Sequence, residues 1–110
     1  MLYVKGNTIS MTRGDTAYLT IPITTSTGEE YTMGSEDILT LSVKESVDDE
    51  TYVLQKEVIG TNAVHIEPKD TADLPFGKYK YDVQLTMANG DVFTIIEVST
   101  FKLLPEVTCK

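Results

Sequence analysis

The sequence predicts an all-β fold, a β-sandwich of about seven to nine short antiparallel strands. Apolar and polar residues alternate in several short segments, turn-forming residues separate these segments, and no segment has the apolar spacing of an amphipathic helix. The alternation is strictest in residues 77–95 (GKYKYDVQLTMANGDVFTI), where one parity carries Tyr79, Tyr81, Val83 and Leu85. A period of two is typical of a strand with one buried face.

The composition is that of one domain, predicted to cover residues 1–110. Apolar residues make up 41% of the chain, which is enough for a core, and no apolar run is long enough for a transmembrane helix. The net charge of −8 has the wrong sign for binding a phosphate backbone, so we expect no nucleic-acid partner and no membrane partner. The N-terminus lacks the pattern of a secretory signal, and the single cysteine, Cys109, has no internal disulfide partner.

The first third of the chain contains two predicted strands, a turn and a long loop. Residues 8–13 (TISMTR) alternate as a strand, and residues 13–15 (RGD) form the turn after it. Residues 17–25 (AYLTIPITT) alternate again, and Pro22, which has no amide hydrogen for a ladder, favours an edge position or a bulge. The polar residues 26–37 (STGEEYTMGSED) predict a long loop that crosses between two sheets.

Three more strands follow in the middle of the chain. Residues 38–45 (ILTLSVKE), 52–59 (YVLQKEVI) and 63–68 (AVHIEP) alternate, with turn-forming segments between them. Lys56 alone breaks the apolar parity of its strand, so we expect it near the rim of the sheet.

The segment 68–77 (PKDTADLPFG) is the one place that predicts helix, and only a single turn of it. Asp70 or Thr71 is suited to cap this turn, while Pro75 and Gly77 end it at once. We therefore expect a corner here.

The end of the chain predicts a hairpin and a last strand. Asn89 and Gly90 both tolerate positive φ, so this pair favours a two-residue type I′ turn. Residues 91–98 (DVFTIIEV) are expected to pair back on the preceding strand, and residues 99–107 (STFKLLPEV) to form a further strand.

Residues suited to catalysis or metal binding are few. His65 lies on the parity opposite to its apolar neighbours, which favours an exposed position, and no partner motif for a catalytic triad is present. The acidic pairs 29–30 and 36–37 and the run 48–50 fall in predicted turns and do not match EF-hand spacing, so solvated turns are favoured over a calcium site. We predict no enzyme activity, no cofactor and no metal.

Two further patterns have a structural and a functional interpretation. The tripeptide RGD at residues 13–15 mediates adhesion in other proteins when displayed, but an ordinary turn is favoured here. Tyr79, Tyr81 and Phe93 would offer a stacking platform for sugars or bases, yet the parity of the two tyrosines favours core packing. Tyr3, Tyr18, Tyr31 and Tyr52 are less constrained by pattern.

The segment 70–83 (DTADLPFGKYKYDV) is similar to the corner of immunoglobulin-like sandwiches, where a tyrosine hydroxyl bonds back to the chain. Tyr79 would be that tyrosine. The inter-sheet cysteines of immunoglobulin domains are missing, so the resemblance concerns architecture. It makes the expected sandwich an immunoglobulin-like one.

A resemblance that covers nearly the whole chain is carried by MTRGDTAYLTIPI, DILTLSVKES, IEPKDTADLPFGKYKYDVQLTMANGDVFTI and FKLLPEVT. In this order the segments resemble small structural proteins of phages and prophages of Gram-positive bacteria. Those proteins are similar to the N-terminal sandwich domain of the upper baseplate protein of siphophages. The resemblance implies a virion protein of the tail or baseplate, made in the bacterial cytoplasm without a signal peptide, and it transfers no binding residue by position.

Two functions remain open at this point. The first is a structural module that assembles with other virion proteins and with copies of itself, with contacts expected in the long loop and the terminal strands. Its candidate interface residues are Tyr31, Met33, Phe101 and Leu103. The second is a carbohydrate-binding or adhesive module for a bacterial surface polymer, which the absence of tryptophan disfavours.

Overall fold

The chain is built almost entirely of β-strands. The computed structural model describes residues 3–5, 7–24 and 27–107, with the side chains of residues 3–5 left out. Thr25, Ser26, Cys109 and the Tyr3 side chain, to which some predictions refer, lie outside the described part. In chain order the elements are β1 (Tyr3–Lys5), β2 (Thr8–Thr12), β3 (Ala17–Thr20), β4 (Ile38–Lys44), β5 (Leu54–Ile59), β6 (Ala63–Ile66), α1 (Pro68–Thr71), β7 (Gly77–Thr86) and β8 (Val92–Leu104). The all-β prediction is confirmed, and no helix in this part of the chain is long and apolar enough to span a membrane.

The strands form two sheets. Six of them lie in the order β1-β2-β8-β7-β4-β5, and β3 pairs with β6 in a two-stranded sheet. β2 and β8 run parallel, while the other pairs are antiparallel. The prediction of antiparallel strands throughout is therefore wrong at β2–β8. Strands that follow one another through a tight turn must pair antiparallel. β2 and β8 are connected through the rest of the domain, so their connection is long enough to allow parallel pairing.

One buried cluster receives side chains from both sheets. In the large sheet, β4 and β7 align their apolar parities, with Leu39 opposite Leu85 and Leu41 opposite Val83. The cluster contains the apolar parity that the sequence predicts for these strands: Leu39, Leu41, Val43, Tyr79, Tyr81, Val83 and Leu85. The small sheet adds Ala17, Leu19, Val64 and Ile66. Each fully buried aliphatic or aromatic side chain of this kind stabilises a fold by roughly 1.5–3 kcal/mol relative to an exposed one.

The strand predicted over residues 17–25 is shorter in the structure. β3 ends at Thr20, and Pro22 follows it outside the ladder, as expected for a residue without an amide hydrogen. Ile21 and Ile23 stay buried, and the Tyr31 N–H donates to the Ile23 carbonyl at 2.8 Å. The segment that leads on to β4 thus connects the small sheet to the large one, as the predicted long loop should.

The corner before β7 contains one helical turn, capped differently from the prediction. Glu67 is the N-cap residue, and the Asp70 carboxylate accepts a hydrogen bond from its N–H at 2.7 Å. Thr71 lies inside the turn, where its hydroxyl accepts from the Gly14 N–H at 2.8 Å. The Tyr79 hydroxyl donates to the Pro75 carbonyl, so the bond back to the chain expected of this tyrosine is present.

The hairpin between β7 and β8 is present, but its turn is not of type I′. Gly90 has φ of 94°, whereas no described residue other than glycine has positive φ. The Gly90 N–H donates to the Met87 carbonyl at 2.9 Å and the Met87 N–H to the Asp91 carbonyl at 2.8 Å. This is a three-residue loop with glycine at the left-handed position, which relieves Asn89 of that conformation. The two strands predicted after it are one continuous strand, β8.

Candidate functional site

Two of the four predicted interface residues lie in the core. Phe101 and Leu103 are only 1% and 2% exposed. They pair with Ile9 and Met11 of β2 on one side and with β7 on the other. The interface prediction for Phe101 and Leu103 is therefore wrong, because a strand near the end of the chain is placed inside the sheet by its parallel partner.

Tyr31 and Met33 are half-buried and pack against the core. The Tyr31 hydroxyl donates to Asp37 Oδ2 at 2.5 Å, and the Gly34 N–H donates to the same oxygen at 2.9 Å. The hydrogen bond from Tyr31, and then that from Gly34, lower the pKa of Asp37 below its usual value against the opposing effect of burial. Asp37 is 5% exposed, so the prediction of a solvated turn is wrong for this acid. Both Tyr31 and Met33 already have a structural role, because they cover the end of the core. An additional interface role for them stays a prediction.

The RGD tripeptide is part of a structural junction. Arg13 Nη2 lies 2.8 Å from Glu106 Oε1, and Arg13 Nη1 donates to the Leu74 carbonyl at 3.1 Å. The guanidinium also lies over the Phe76 ring, 5.4 Å from its centroid. The arginine thus joins the β2–β3 turn to the corner before β7 and to the C-terminal segment, which favours the turn interpretation over a displayed adhesion motif.

His65 is exposed, as its parity predicts, and stacks on Tyr18. The two ring centroids are 4.5 Å apart and the ring planes are 5° from parallel. Within residues 7–24 and 27–107, no group of three or more His, Cys, Asp or Glu side chains is arranged to hold a metal ion. The contact that the structure shows for His65 is its stacking on Tyr18, which is a structural one.

A polar cleft opens on the outer face of the large sheet, on the side away from the core. Its volume is about 230 Å³. Its floor is formed by the solvent-facing parity of β4, β5 and β7, and Val47 and Tyr52 of the β4–β5 connection form one wall. Polar side chains line most of it: Thr40, Ser42, Lys44, Gln55, Lys80, Asp82 and Gln84.

The cleft combines hydrogen-bonding groups with one aromatic ring. Gln55 Nε2 donates to Ser42 Oγ at 3.0 Å, and Lys44 Nζ lies 5.0 Å from the centroid of the half-exposed Tyr52 ring. Burial raises the pKa of Asp82 above its usual value, although the charge of Lys44 partly opposes this. Chemically, this surface can donate and accept hydrogen bonds and stack a flat apolar face.

A second feature is the unequal pairing of β8. Its residues 101–104, here called the closed half, lie between β2 and β7. Its residues 92–100, the open half, pair with β7 alone, and no other strand among the described residues reaches them. Val92, Phe93 and Val98 of the open half are 50–56% exposed.

Two irregularities bend the open half. Tyr81 pairs with Ser99 and Val83 with Ile96, so β8 carries one extra residue there, and it carries another between Ile96 and Thr94. The Ser99 hydroxyl donates to the Glu97 carbonyl at 2.8 Å, which satisfies a backbone acceptor at the first irregularity. Bulges of this kind bend a strand and turn its side chains away from regular alternation.

An apolar cleft of about 320 Å³ lies beside the open half. Ile95 and Ile96 of β8 form one side, and residues 19–22 at the end of β3 form another. Ile9 and Tyr81 of the core reach its floor. Sequence reasoning missed this cleft, although adjacent Ile95 and Ile96 interrupt the alternation and are a visible signal that the strand is bulged.

Comparison of the chain with protein-family models, with curated proteins and with solved structures found no match in any of the three. Two surfaces of the described chain are candidate binding sites: the polar cleft, and the open half of β8 with its apolar cleft.

Proposed function

We propose that this chain is a non-enzymatic structural module of a phage or prophage virion, belonging to the tail or baseplate and acting by protein–protein assembly. The observation that carries the proposal is the open half of β8. It combines half-exposed apolar side chains with a backbone edge that no described strand covers. An edge of this kind is a template for another chain.

An immunoglobulin-like sandwich is the architecture we propose for the module. Two sheets contribute to one core, and the Tyr79 hydroxyl bonds back to Pro75 at the corner before β7. Both features support the resemblance to sandwich domains, while the parallel β2–β8 pair is a departure from an all-antiparallel arrangement.

The non-enzymatic part of the proposal is supported by how the chemically versatile side chains are used. Arg13 holds the C-terminal segment, Asp37 anchors the loop through Tyr31, and His65 stacks on Tyr18. Each of these groups makes a contact that serves the fold.

The test is to look for the chain in particles. Induced or propagated particles from the encoding bacterium are purified by density gradient, and peptides of this chain are quantified by mass spectrometry against those of the major tail protein. We expect a fixed stoichiometric ratio across the particle peak. Peptides found only in the soluble lysate, with none in the particles, would contradict the proposal.

The polar cleft supports a second candidate, a module that binds a carbohydrate of the bacterial surface. Sugars are recognised by hydrogen-bonding side chains combined with an aromatic ring that stacks on the sugar face, and Tyr52, Gln55 and Asp82 supply both.

The carbohydrate proposal is tested by titrating cell-wall polysaccharide of Gram-positive bacteria into the purified chain by calorimetry. Binding that is lost in Tyr52→Ala and kept in Tyr18→Ala, an exposed tyrosine remote from the cleft lining, would support it. No heat of binding to the native chain at millimolar sugar would contradict it.

A further inference from the structure

We propose that the open half of β8 pairs with the same segment of a second copy of this chain, antiparallel and about a two-fold axis. An apolar side chain of each copy then enters the other copy's apolar cleft. This inference rests on the proposed function, since it names the partner and the surface through which the module assembles.

The backbone edge is the first observation that supports this pairing. Edge strands in soluble proteins are commonly protected by lysine, proline or a covering segment. Residues 92–98 (VFTIIEV) contain no lysine and no proline, and Glu97 is their single charged residue. β5, at an edge of the same sheet, carries Lys56 and Glu57 side by side. The open half therefore lacks the charged protection that the β5 edge has, and its two bulges are the protective feature that it carries.

The apolar cleft beside this edge is the second, independent observation. An added strand gains affinity from main-chain hydrogen bonds and specificity from alternate side chains that enter pockets next to the edge. Ile95 and Ile96 belong both to the edge and to the cleft wall. Phe93 is half exposed two positions away, so the partner's Phe93 is the aromatic side chain best placed to fill the cleft.

The positions of the acids along the strand are compatible with a second copy and select a register. With the two-fold axis at Ile95, Glu97 faces the partner's Phe93, and Asp91 faces the partner's Ser99. No acid then opposes another acid at the pairing strand, where like charges directly opposite one another are destabilising. Each copy supplies both the inserted side chain and the cleft that receives one. A single two-fold contact therefore covers the open edge of both copies, as in other isologous dimers.

Affinity and salt dependence follow from the same features. The bulges shorten the regular pairing, so the interface is small and we expect a dissociation constant on the order of 10–100 µM. Each copy carries a net charge of −8, so two copies repel one another. Because salt screens this repulsion, we expect dimerisation to strengthen between low and physiological ionic strength.

The experiment combines sedimentation velocity with hydrogen exchange on the full chain. Sedimentation is measured from about 5 µM to 1 mM, a range that brackets the expected dissociation constant. Amide exchange is measured by mass spectrometry at both ends of this range. The test variant is Phe93→Glu, which places an acid opposite the partner's Glu97. The matched control is Ile59→Glu, which places the same residue at an exposed apolar position on β5. Circular dichroism verifies that both variants keep the native fold.

We expect a monomer–dimer equilibrium that is weakened at least tenfold by Phe93→Glu and much less by Ile59→Glu. We also expect amides of residues 92–98 to become protected as the concentration rises. A strict monomer at 1 mM overturns the inference, while recovery of the chain in particles would still uphold the proposed function. Self-association that survives Phe93→Glu, with protection at another segment, also overturns the inference and leaves assembly as the function. If Phe93→Glu unfolds the chain, exchange protection in the native chain decides the matter.

Discussion

The two halves of β8 belong to one strand and both contain several apolar residues, yet they differ in burial. In the closed half, Phe101 and Leu103 are buried between β2 and β7. In the open half, Val92 and Phe93 remain half exposed, although Phe93 pairs with a buried leucine, Leu85 of β7. The difference is the second neighbour, because β2 is too short to cover the whole length of β8.

An apolar parity shows that one face of a strand is suited to burial. It does not show which neighbouring element will bury that face. The closed half uses its apolar side chains within the domain and stabilises the fold. The open half presents the same kind of side chains to the outside, where they are available to a partner. If the proposed pairing is correct, stability depends on one half of this strand and assembly on the other. Substitutions in and around the two halves test this division.

The largest effect is expected from truncation in the closed half. Phe101→Ala should lower the free energy of unfolding by about 3–5 kcal/mol, because it leaves a cavity in a close-packed core. It also removes the edge-on ring contact with Tyr81, whose centroid is 6.4 Å away. Phe93→Ala in the open half should cost less than about 1 kcal/mol, as expected for a half-exposed side chain. Urea unfolding measures both, and equal losses would contradict the division.

A substitution in the hairpin that precedes the open half should lower stability more than the solvent exposure of this hairpin suggests. Gly90→Ala should destabilise by roughly 1–2 kcal/mol, since an L-residue disfavours the left-handed region. No atom lies within 4 Å of an added Cβ, so the cost is one of backbone conformation. Gly90→Asn is the control and should lose less than the alanine variant, because asparagine enters this region more readily. Equal melting temperatures for the two variants would argue against this explanation.

A smaller effect is expected where β7 is tied to the N-terminal segment. The Tyr81 hydroxyl donates to the Asn7 carbonyl, and Tyr81→Phe removes that bond. The expected loss is about 1 kcal/mol, typical of a single hydrogen bond to a neutral acceptor. Tyr18→Phe, on an exposed ring, should change the unfolding free energy little. A loss in Tyr18→Phe as large as that in Tyr81→Phe would contradict the assignment.

The smallest effect concerns Asp82, which lies opposite the first irregularity of the open half, between Ile96 and Ser99. Its folded-state pKa is raised by burial, so the folded chain holds this proton more tightly than the unfolded chain. Its contribution to stability is therefore present below the unfolded pKa and lost as pH rises through the folded pKa. Asp82→Asn should gain stability relative to the native chain as pH rises through that window.

For Asp37 we expect the opposite dependence of stability on pH. Its pKa is lowered by the hydrogen bonds from Tyr31 and Gly34, so its contribution is present above the unfolded pKa and lost as pH falls through the folded pKa. Asp37→Asn should remove stability at neutral pH and little at low pH. Urea unfolding between pH 3 and 7 checks both variants, and profiles of the same sign would contradict the two environments described for these acids.

The sequence was sufficient for what depends on local pattern. The parity of Tyr79 to Leu85 predicted the core face of β7, and the residues around Tyr79 predicted its bond back to the chain. These features are encoded within a few residues of one another. Solvent exposure of His65 followed from parity in the same way.

What the sequence could not predict depends on partners distant along the chain. The burial of Phe101 depends on β2, whose Ile9 is its pairing partner. Asp37 is bonded by Tyr31, which is near in sequence, but the loop conformation that brings them together is irregular and alternation does not encode it. The open half and its cleft arise because no described strand continues where β2 leaves off. Propensity and alternation contain no information about which neighbour is absent, so a candidate binding surface of this kind becomes visible only in three dimensions.

The parallel β2–β8 pair has a consequence for the order in which the molecule forms. Arg13 and Glu106, which flank this pair and hold it, are 93 residues apart in the chain. β8 must therefore emerge from the ribosome before β2 can pair with it, and the entropy of closing the long intervening loop opposes that pairing. We expect folding in the millisecond-to-second range of proteins dominated by distant contacts. During synthesis the nascent chain would present the edges of β2 and β7 without their shared neighbour until β8 emerges.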